Sequence, residues 1–242
     1  MSIPRLYVEA DLAEGMDVPC LPGQGHYLGQ VMRKGEGDFV DLFNGRDGEW
    51  RARVASLRKD KGVLVPEQQL RPQAASPDIR LLLAPLKRDA MEWVVEKATE
   101  LGVASIHPVF TARGVVGKVN HDRLSAIARE ASEQCERLDL PRIAPAMDLH
   151  AALDGWDGAP LFVGHERGAA PPLASLLPGR NPPLALLVGP EGGFTKQELD
   201  VVGRRHFVSS AALGPRILRA ETAAVAGLAV LQALAGDWTV PS

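Results

Sequence analysis

Residues 184–234 read LALLVGPEGGFTKQELDVVGRRHFVSSAALGPRILRAETAAVAGLAVLQAL, two apolar strands that each run into a Gly/Pro turn and then a helix. The first strand, 184–188, is a continuous apolar run, the pattern of a strand covered on both faces in a parallel sheet. It stops at Gly189, where the backbone enters GPEGG. Thr195, with Glu198 three residues later, forms a capping box that opens a helix running to about Arg205. The second strand, 207–213, reaches Gly214-Pro215, then Arg216 and Arg219, and an Ala-rich helix that starts near Glu221. Ligands of parallel sheets sit beyond the carboxyl ends of the strands, so the two turns are expected side by side as one site.

Upstream, from Ile79, the pattern is strand and helix in alternation, which signals a parallel α/β sheet. Strands are expected at 80–85, 105–110, near Ile143 and at 161–164. Met91, Val94, Val95, Ala98 and Leu101 mark one helix, ended by Gly102. Leu124, Ile127, Ala128, Ala131, Cys135 and Leu138 form the apolar face of another, with Arg129, Glu130, Glu133, Gln134 and Arg137 toward its polar side. Shorter helices are expected at 148–153 and 173–177. The segment before this half reads differently. Short strands at 5–10, 27–33, 39–43, 49–57 and 63–65, without a helix, suggest a small β-barrel. Asn44-Gly45-Arg46-Asp47-Gly48 joins two of them as a hairpin, and the proline-rich stretch 66–77 reads as the linker.

The chain has 242 residues, 45% hydrophobic and 24% charged, a globular composition with room for two ordinary domains. Its opening, MSIPRLYVEADLAEG, carries acids and no long apolar run, so no signal peptide or membrane span is expected and the cytoplasm is the expected compartment. Cys20 and Cys135 stand far apart with no Cys/His grouping, which argues against a disulfide framework and a metal site, and both are expected to be buried or half-buried. The net charge of −3 gives no global attraction to nucleic acid. Between Arg46 and Lys61, however, six basic residues face three acids. Arg46, Arg51 and Arg53 in this stretch fit two readings, solvated strand edges and an RNA-facing patch.

Three strand ends carry the chemistry: Gly164-His165-Glu166, 189–193, and 213–216. Glycines there let a ligand approach the backbone. The turn lacks both GxGxxG and the Lys-Ser/Thr of a triphosphate loop, and an acidic turn suits a ligand with a positive centre better than a pyrophosphate. Taken alone, GPEGG reads better as a structural turn than as a binding loop. The larger constellation is specific. LALLVGPEGGFTKQEL with ALGPRILRAETAAVAGLAVLQAL, VVEKATELGVASIHPVF and EASEQCERLDLPRI closely resemble the RsmE family of the SPOUT superfamily, ribosomal RNA uracil-N3 methyltransferases that use S-adenosylmethionine.

The resemblance implies a PUA-like β-barrel over residues 1–72 and, over 77–242, an α/β methyltransferase domain with a C-terminal trefoil knot. It also implies a homodimer acting on small-subunit ribosomal RNA, free or in the assembled small subunit. Its cofactor is expected among Val188, Gly189, Pro190, Glu191, Gly192, Gly193, Leu213, Gly214, Ile217, Leu218 and Arg219, with His165 at the rim. Arg219 is the first candidate for stabilising a uracil anion, against the alternative that it ties its turn to the preceding strand. Glu133 and Gln134 are candidates for contact with the target base, and Arg137 and Arg216 for holding RNA; a solvated helix face is the competing reading of residues 133–137. Two positions depart from the family's pattern: Glu136, where Gly is frequent, and Ala220, where Thr is common.

Overall fold

A computed structural model describes residues 3–164 and 170–239, and it divides into two compact units. The first comprises the chain up to Ala75 together with Ser132–Leu140. Its sheet contains β1 (Arg5–Tyr7), β2 (Val18–Pro19), β3 (Phe39–Phe43), β4 (Glu49–Arg58) and β5 (Lys61–Arg71) in the order β1-β3-β4-β5-β2. Among the described residues of this unit, only β1 and β3 pair in parallel. Leu6, Val8, Leu12, Val18, Leu28, Val40, Leu42, Ala52, Val54 and Leu64 form its core. The expected hairpin is present. Asn44 Oδ1 accepts the N–H groups of Arg46 and Asp47, both at 2.9 Å, closing the turn. Gly48 sits at φ +79°, and a Cβ there would lie 2.2 Å from the Arg71 carbonyl oxygen.

Two expectations for this unit are corrected. Residues 27–33 are not a strand: α1 (Gln24–His26) continues into a π-helical turn over Tyr27–Val31. Gly25 lets this turn press on the backbone, since a Cβ there would lie 2.5 Å from the Asp60 carbonyl carbon. The linker is also shorter than the prolines suggested, because β5 runs through Pro66 to Arg71. Pro66 faces Ala52 beside a break in register, a place where a missing N–H interrupts little.

The second unit comprises Ser76–Ala131 and the chain from Pro141 onward. In chain order it contains β6 (Ile79–Leu83), α2 (Arg88–Glu100), β7 (Ser105–Phe110), α3 (His121–Gln134, whose last turn falls in the first unit), β8 (Arg142–Ile143), β9 (Met147–Asp148), α4 (Leu149–Asp154), β10 (Leu161–Gly164), β11 (Leu184–Val188), α5 (Lys196–Gly203), β12 (Val208–Ala211) and α6 (Ala220–Ala235). Every strand pair is parallel, in the order β12-β10-β11-β6-β7-β8, with β9 beside β7. Leu81, Leu83, Leu186 and Val188 pack with α2, α3 and α6 on one face of the sheet. Leu82, Val163, Ala185 and Leu187 pack with α4 and α5 on the other. The small residues of α6 serve a close approach: a Cβ on Gly227 would lie 2.5 Å from Leu186 Cδ2. Among the described residues no helix is long and apolar enough to cross a membrane.

α3 ends earlier than its apolar spacing implied. The helix stops at Gln134, Cys135 is exposed rather than buried, and Glu136 adopts φ +62°, the left-handed conformation that favours glycine. Glu136 thus turns the chain at the end of α3 in a conformation that a glycine would adopt more easily.

On β7, His107 lies largely buried beside Trp156, with Nε2 2.8 Å from Ser105 Oγ. Burial, reinforced by Arg142 and Arg80, pushes its imidazole from 6.5 down to about 4. The unfolded chain takes up this proton below pH 6.5 whereas the native chain does not until about pH 4, so His107 weakens the fold as pH falls through that window. By pH 5 the loss from this group is about 2 kcal/mol. Urea unfolding of wild type and His107→Gln at pH 7 and pH 5 measures it. The variant should lose less stability over that interval, and equal losses would clear His107.

Candidate cofactor and RNA site

The carboxyl ends of β10, β11 and β12 converge on a pocket of about 450 Å³, within the range of small-molecule sites. Its lining includes Gly164, Val188–Glu191, Leu213, Gly214, Arg216–Ala220 and Ala223. Much of this wall is main chain. Gly214 holds φ +101°, which a side chain would strain, and Gly189 runs beneath the Phe194 ring, where a Cβ would come within 2.8 Å. Val188, Leu213, Ile217, Leu218 and the two alanines add apolar surface, while Glu191 supplies the acid.

The GPEGG turn is braced from behind. Thr195 and Glu198 form the capping box of α5: Glu198 Oε2 accepts the Thr195 N–H at 2.7 Å, and Thr195 Oγ1 accepts the Glu198 N–H at 3.2 Å. The other carboxylate oxygen accepts the Ala112 N–H at 2.7 Å, tying the loop after β7 to the start of α5. Burial alone would raise the Glu198 pKa, but these hydrogen bonds hold it below the ordinary carboxyl value. Arg113 Nη1 donates to the Gly192 carbonyl at 3.1 Å, and the Gly193 N–H donates to Pro190 O at 2.8 Å. Gly192 and Gly193 thus shape the turn and do not line the pocket.

Arg219 occupies the N-cap position of α6 with extended backbone at φ −66° and ψ 157°. It lines the pocket, and its exposed side chain has no partner among the described residues, so nothing there ties the turn to β12. Arg216 is likewise exposed on the pocket wall. Ala220 and Ala223, which the motif reading did not include, bring the first turn of α6 into the wall. Their small size, three apart at a helix start, is the signal that was available. His165 lies outside the described residues.

Glu133, Gln134 and Arg137 all fall in the first unit. Glu133 Oε1 accepts the Tyr7 N–H at 2.9 Å. Arg137, with only 8% of its side chain exposed, pairs with Asp139 at 2.8 Å, which commits a guanidinium offered by the sequence to RNA. Gln134 is exposed. On the barrel, Arg46 pairs with Asp11, Arg51 with Asp41 directly across the β3–β4 ladder, and Arg53 with Glu67. The local surplus of positive charge is therefore left at Arg58, Lys59 and Lys61, all exposed around the β4–β5 turn.

Residues 74–232 match the family model of an RNA methyltransferase domain, and residues 23–67 that of an RNA methyltransferase PUA domain. The protein is an RNA methyltransferase of the SPOUT α/β class with a PUA-like barrel before it. Ribosomal RNA small subunit methyltransferase E of Rickettsia conorii is 32% identical over 97% of this chain and 97% of its own. Its counterpart from Bacillus subtilis is 31% identical over 94% of this chain and 95% of its own. The chain belongs to the ribosomal RNA small subunit methyltransferase E family. Among solved structures, a Legionella pneumophila protein with bound cofactor S-adenosylmethionine superposes with a TM-score of 0.88 at 30% identity, covering 98% of this chain and 100% of that one. The Neisseria gonorrhoeae methyltransferase E, bound to S-adenosylmethionine, gives 0.86 at 29% identity over 98% and 100%.

Proposed function

We propose that this protein methylates N3 of a uridine in small-subunit ribosomal RNA, using S-adenosylmethionine held in the pocket at the ends of β10, β11 and β12. The supporting observation is that pocket's construction from glycine turns and the start of α6, in a chain 30% identical over 98% of its length to a protein with this cofactor bound. The residues present suit the cofactor. Apolar side chains would accept the adenine and the methylene groups of the methionine chain, main-chain groups would serve its polar atoms, and Glu191 would complement its positive charge.

When bound, S-adenosylmethionine supplies an electrophilic methyl on a sulfonium. The chain's own work concerns the acceptor. Neutral uracil N3 carries its proton and no available lone pair, so the imide must be held as its anion. A guanidinium beside the base oxygens stabilises that charge, and Arg219, on the pocket wall with no partner among the described residues, serves this role in our reading. Arg216 serves the RNA backbone or the base from the neighbouring position. Fixing N3 in line with the transferring methyl lowers the barrier further by removing orientational freedom. In this reading the C-terminal segment is knotted, the protein is a homodimer, the domains divide near residues 72–77, and the barrel positions the RNA in the cytoplasm.

The test is transfer of labelled methyl from S-adenosylmethionine to unmodified small ribosomal subunits and to free small-subunit RNA, with identification of the labelled nucleoside. Label in 3-methyluridine is the expected result. Label in another nucleoside would overturn the target atom. No label with either substrate, from folded protein that binds the RNA, would favour an assembly factor with a vestigial pocket.

A further inference from the structure

A second cavity, of about 370 Å³, lies between the start of α2 and the start of α3 and is separate from the cofactor pocket in its lining. Leu86, Met91 and Leu124 are buried in its floor, with Val116 and Val119 beside them. Arg88, Lys118 and Arg123 line it, against one carboxylate, Glu92, for a net charge of +2. Glu92 organises the two arginines: Oε1 accepts Arg88 Nε at 2.9 Å and Oε2 accepts Arg123 Nη2 at 2.8 Å. Arg88 commits only that one nitrogen, and Lys118 is exposed with no partner among the described residues. The N-cap of α2, Lys87, makes no side-chain capping bond, which leaves the positive end of a 13-residue helix beside the arginines.

The cavity opens on the same edge of the sheet as the cofactor pocket. Pro85 and Leu86 continue directly from β6, and the Ala84 N–H donates to Val188 O of β11, the neighbouring strand, at 3.0 Å. A polyanion whose target base enters the cofactor pocket would have its flanking nucleotides along this edge. We infer that the α2–α3 cleft is a subsite for one nucleotide of the substrate RNA beside the target uridine, with Leu86, Met91 and Val119 against the base and Arg88, Lys118 and Arg123 against the phosphates. The inference rests on the reading of the protein as an RNA methyltransferase and extends it to a second contact. An apolar floor with cations around it matches a nucleotide, which offers a flat base and a charged backbone, and splayed single-stranded RNA presents both.

Lys118→Gln tests it with the least structural disturbance, since the lysine has no partner among the described residues, and Arg88→Gln/Lys118→Gln enlarges the effect. Binding to an unmodified small-subunit RNA transcript is measured across a series of salt concentrations, together with S-adenosylmethionine affinity, methyl transfer and sedimentation. The single variant should weaken RNA binding about 3- to 10-fold and reduce the log–log salt slope by about 1, with cofactor affinity retained. Unchanged RNA affinity and slope in both variants would overturn the subsite. So would a halved mass on sedimentation accompanying the weaker binding, which would make the cleft an interface between copies of the chain. If wild type itself transfers no methyl to RNA, the failure lies in the functional reading and not in the cleft.

Discussion

Arg219→Ala is expected to lower the rate of methyl transfer about 10²- to 10³-fold, the usual cost of removing one preorganised donor from a developing anion. The fold should hardly notice. The side chain is exposed, pairs with nothing among the described residues, and contributes to α6 only through its backbone, whose carbonyl accepts the Ala223 N–H at 2.8 Å. A surface change of that kind stays within about 0.5 kcal/mol. Single-turnover transfer to unmodified small subunits, with S-adenosylmethionine saturating, reads the chemical step, and partial rescue by Arg219→Lys would show that charge matters alongside the planar fork. Wild-type rates in folded Arg219→Ala would remove Arg219 from the mechanism. The same substitution at Arg216 should act mainly on RNA affinity.

In the first unit, the largest loss of stability is expected from Arg5→Ala, about 3–5 kcal/mol by urea unfolding, because it leaves Glu49 buried with half its compensation. Only 8% of the Arg5 side chain and 9% of the Glu49 side chain are exposed. Arg5 Nε donates to Glu49 Oε1, Nη1 donates to Ser132 O at 2.8 Å, Nη2 donates to Arg137 O at 2.6 Å, and the guanidinium lies 3.9 Å from the centre of the Phe43 ring. Burial would push the Glu49 carboxyl up, and the hydrogen bonds from Arg71 and Arg5 bring it below its ordinary value. Truncation removes all of these together. Arg53→Ala is the internal control: its pair with Glu67 is about half exposed on both sides, and its loss should cost at most about 1 kcal/mol. If the two variants cost the same, the cluster around Arg5 is not what fastens residues 132–140 to the barrel.

That cluster also shows where reading by motif reached its limit. EASEQCERLDL presented Glu133 and Arg137 as polar residues on a helix face, and polar residues on a helix suit a base or a phosphate as well as they suit solvent. What occupies them is the barrel's own backbone and a neighbouring acid: Tyr7 N–H on Glu133 and Asp139 on Arg137. Tyr7 lies 126 residues from Glu133, a pairing no local pattern records, whereas Asp139 stands two residues from Arg137 within the motif itself. The basic stretch 46–61 behaved similarly. Asp11, Asp41 and Glu67 neutralise the three arginines chosen from it, and all three acids lie outside the stretch, Asp11 on a different segment, Asp41 on β3 and Glu67 on β5.

The sequence by itself determined the elements that depend on neighbours a few residues away. The apolar run Leu184–Val188, the Thr195/Glu198 box, the end of α2 at Gly102 and the strand Ser105–Phe110 are all local balances of burial, capping and backbone freedom, and each stands where the residues place it. The turns after β11 and β12 were legible for the same reason, since only glycine tolerates a conformation such as that of Gly214. The tertiary structure alone decided that β11 lies between β6 and β10, that residues 24–31 coil, with Gly25 against Asp60, instead of extending, and that Ser132–Leu140 belongs with the barrel. It alone brought Arg88, Lys118 and Arg123 around one apolar floor. Each of these outcomes is fixed by contacts between residues distant in the chain, whose free energy depends on which surface meets which, and a pattern read along the chain carries no record of that pairing.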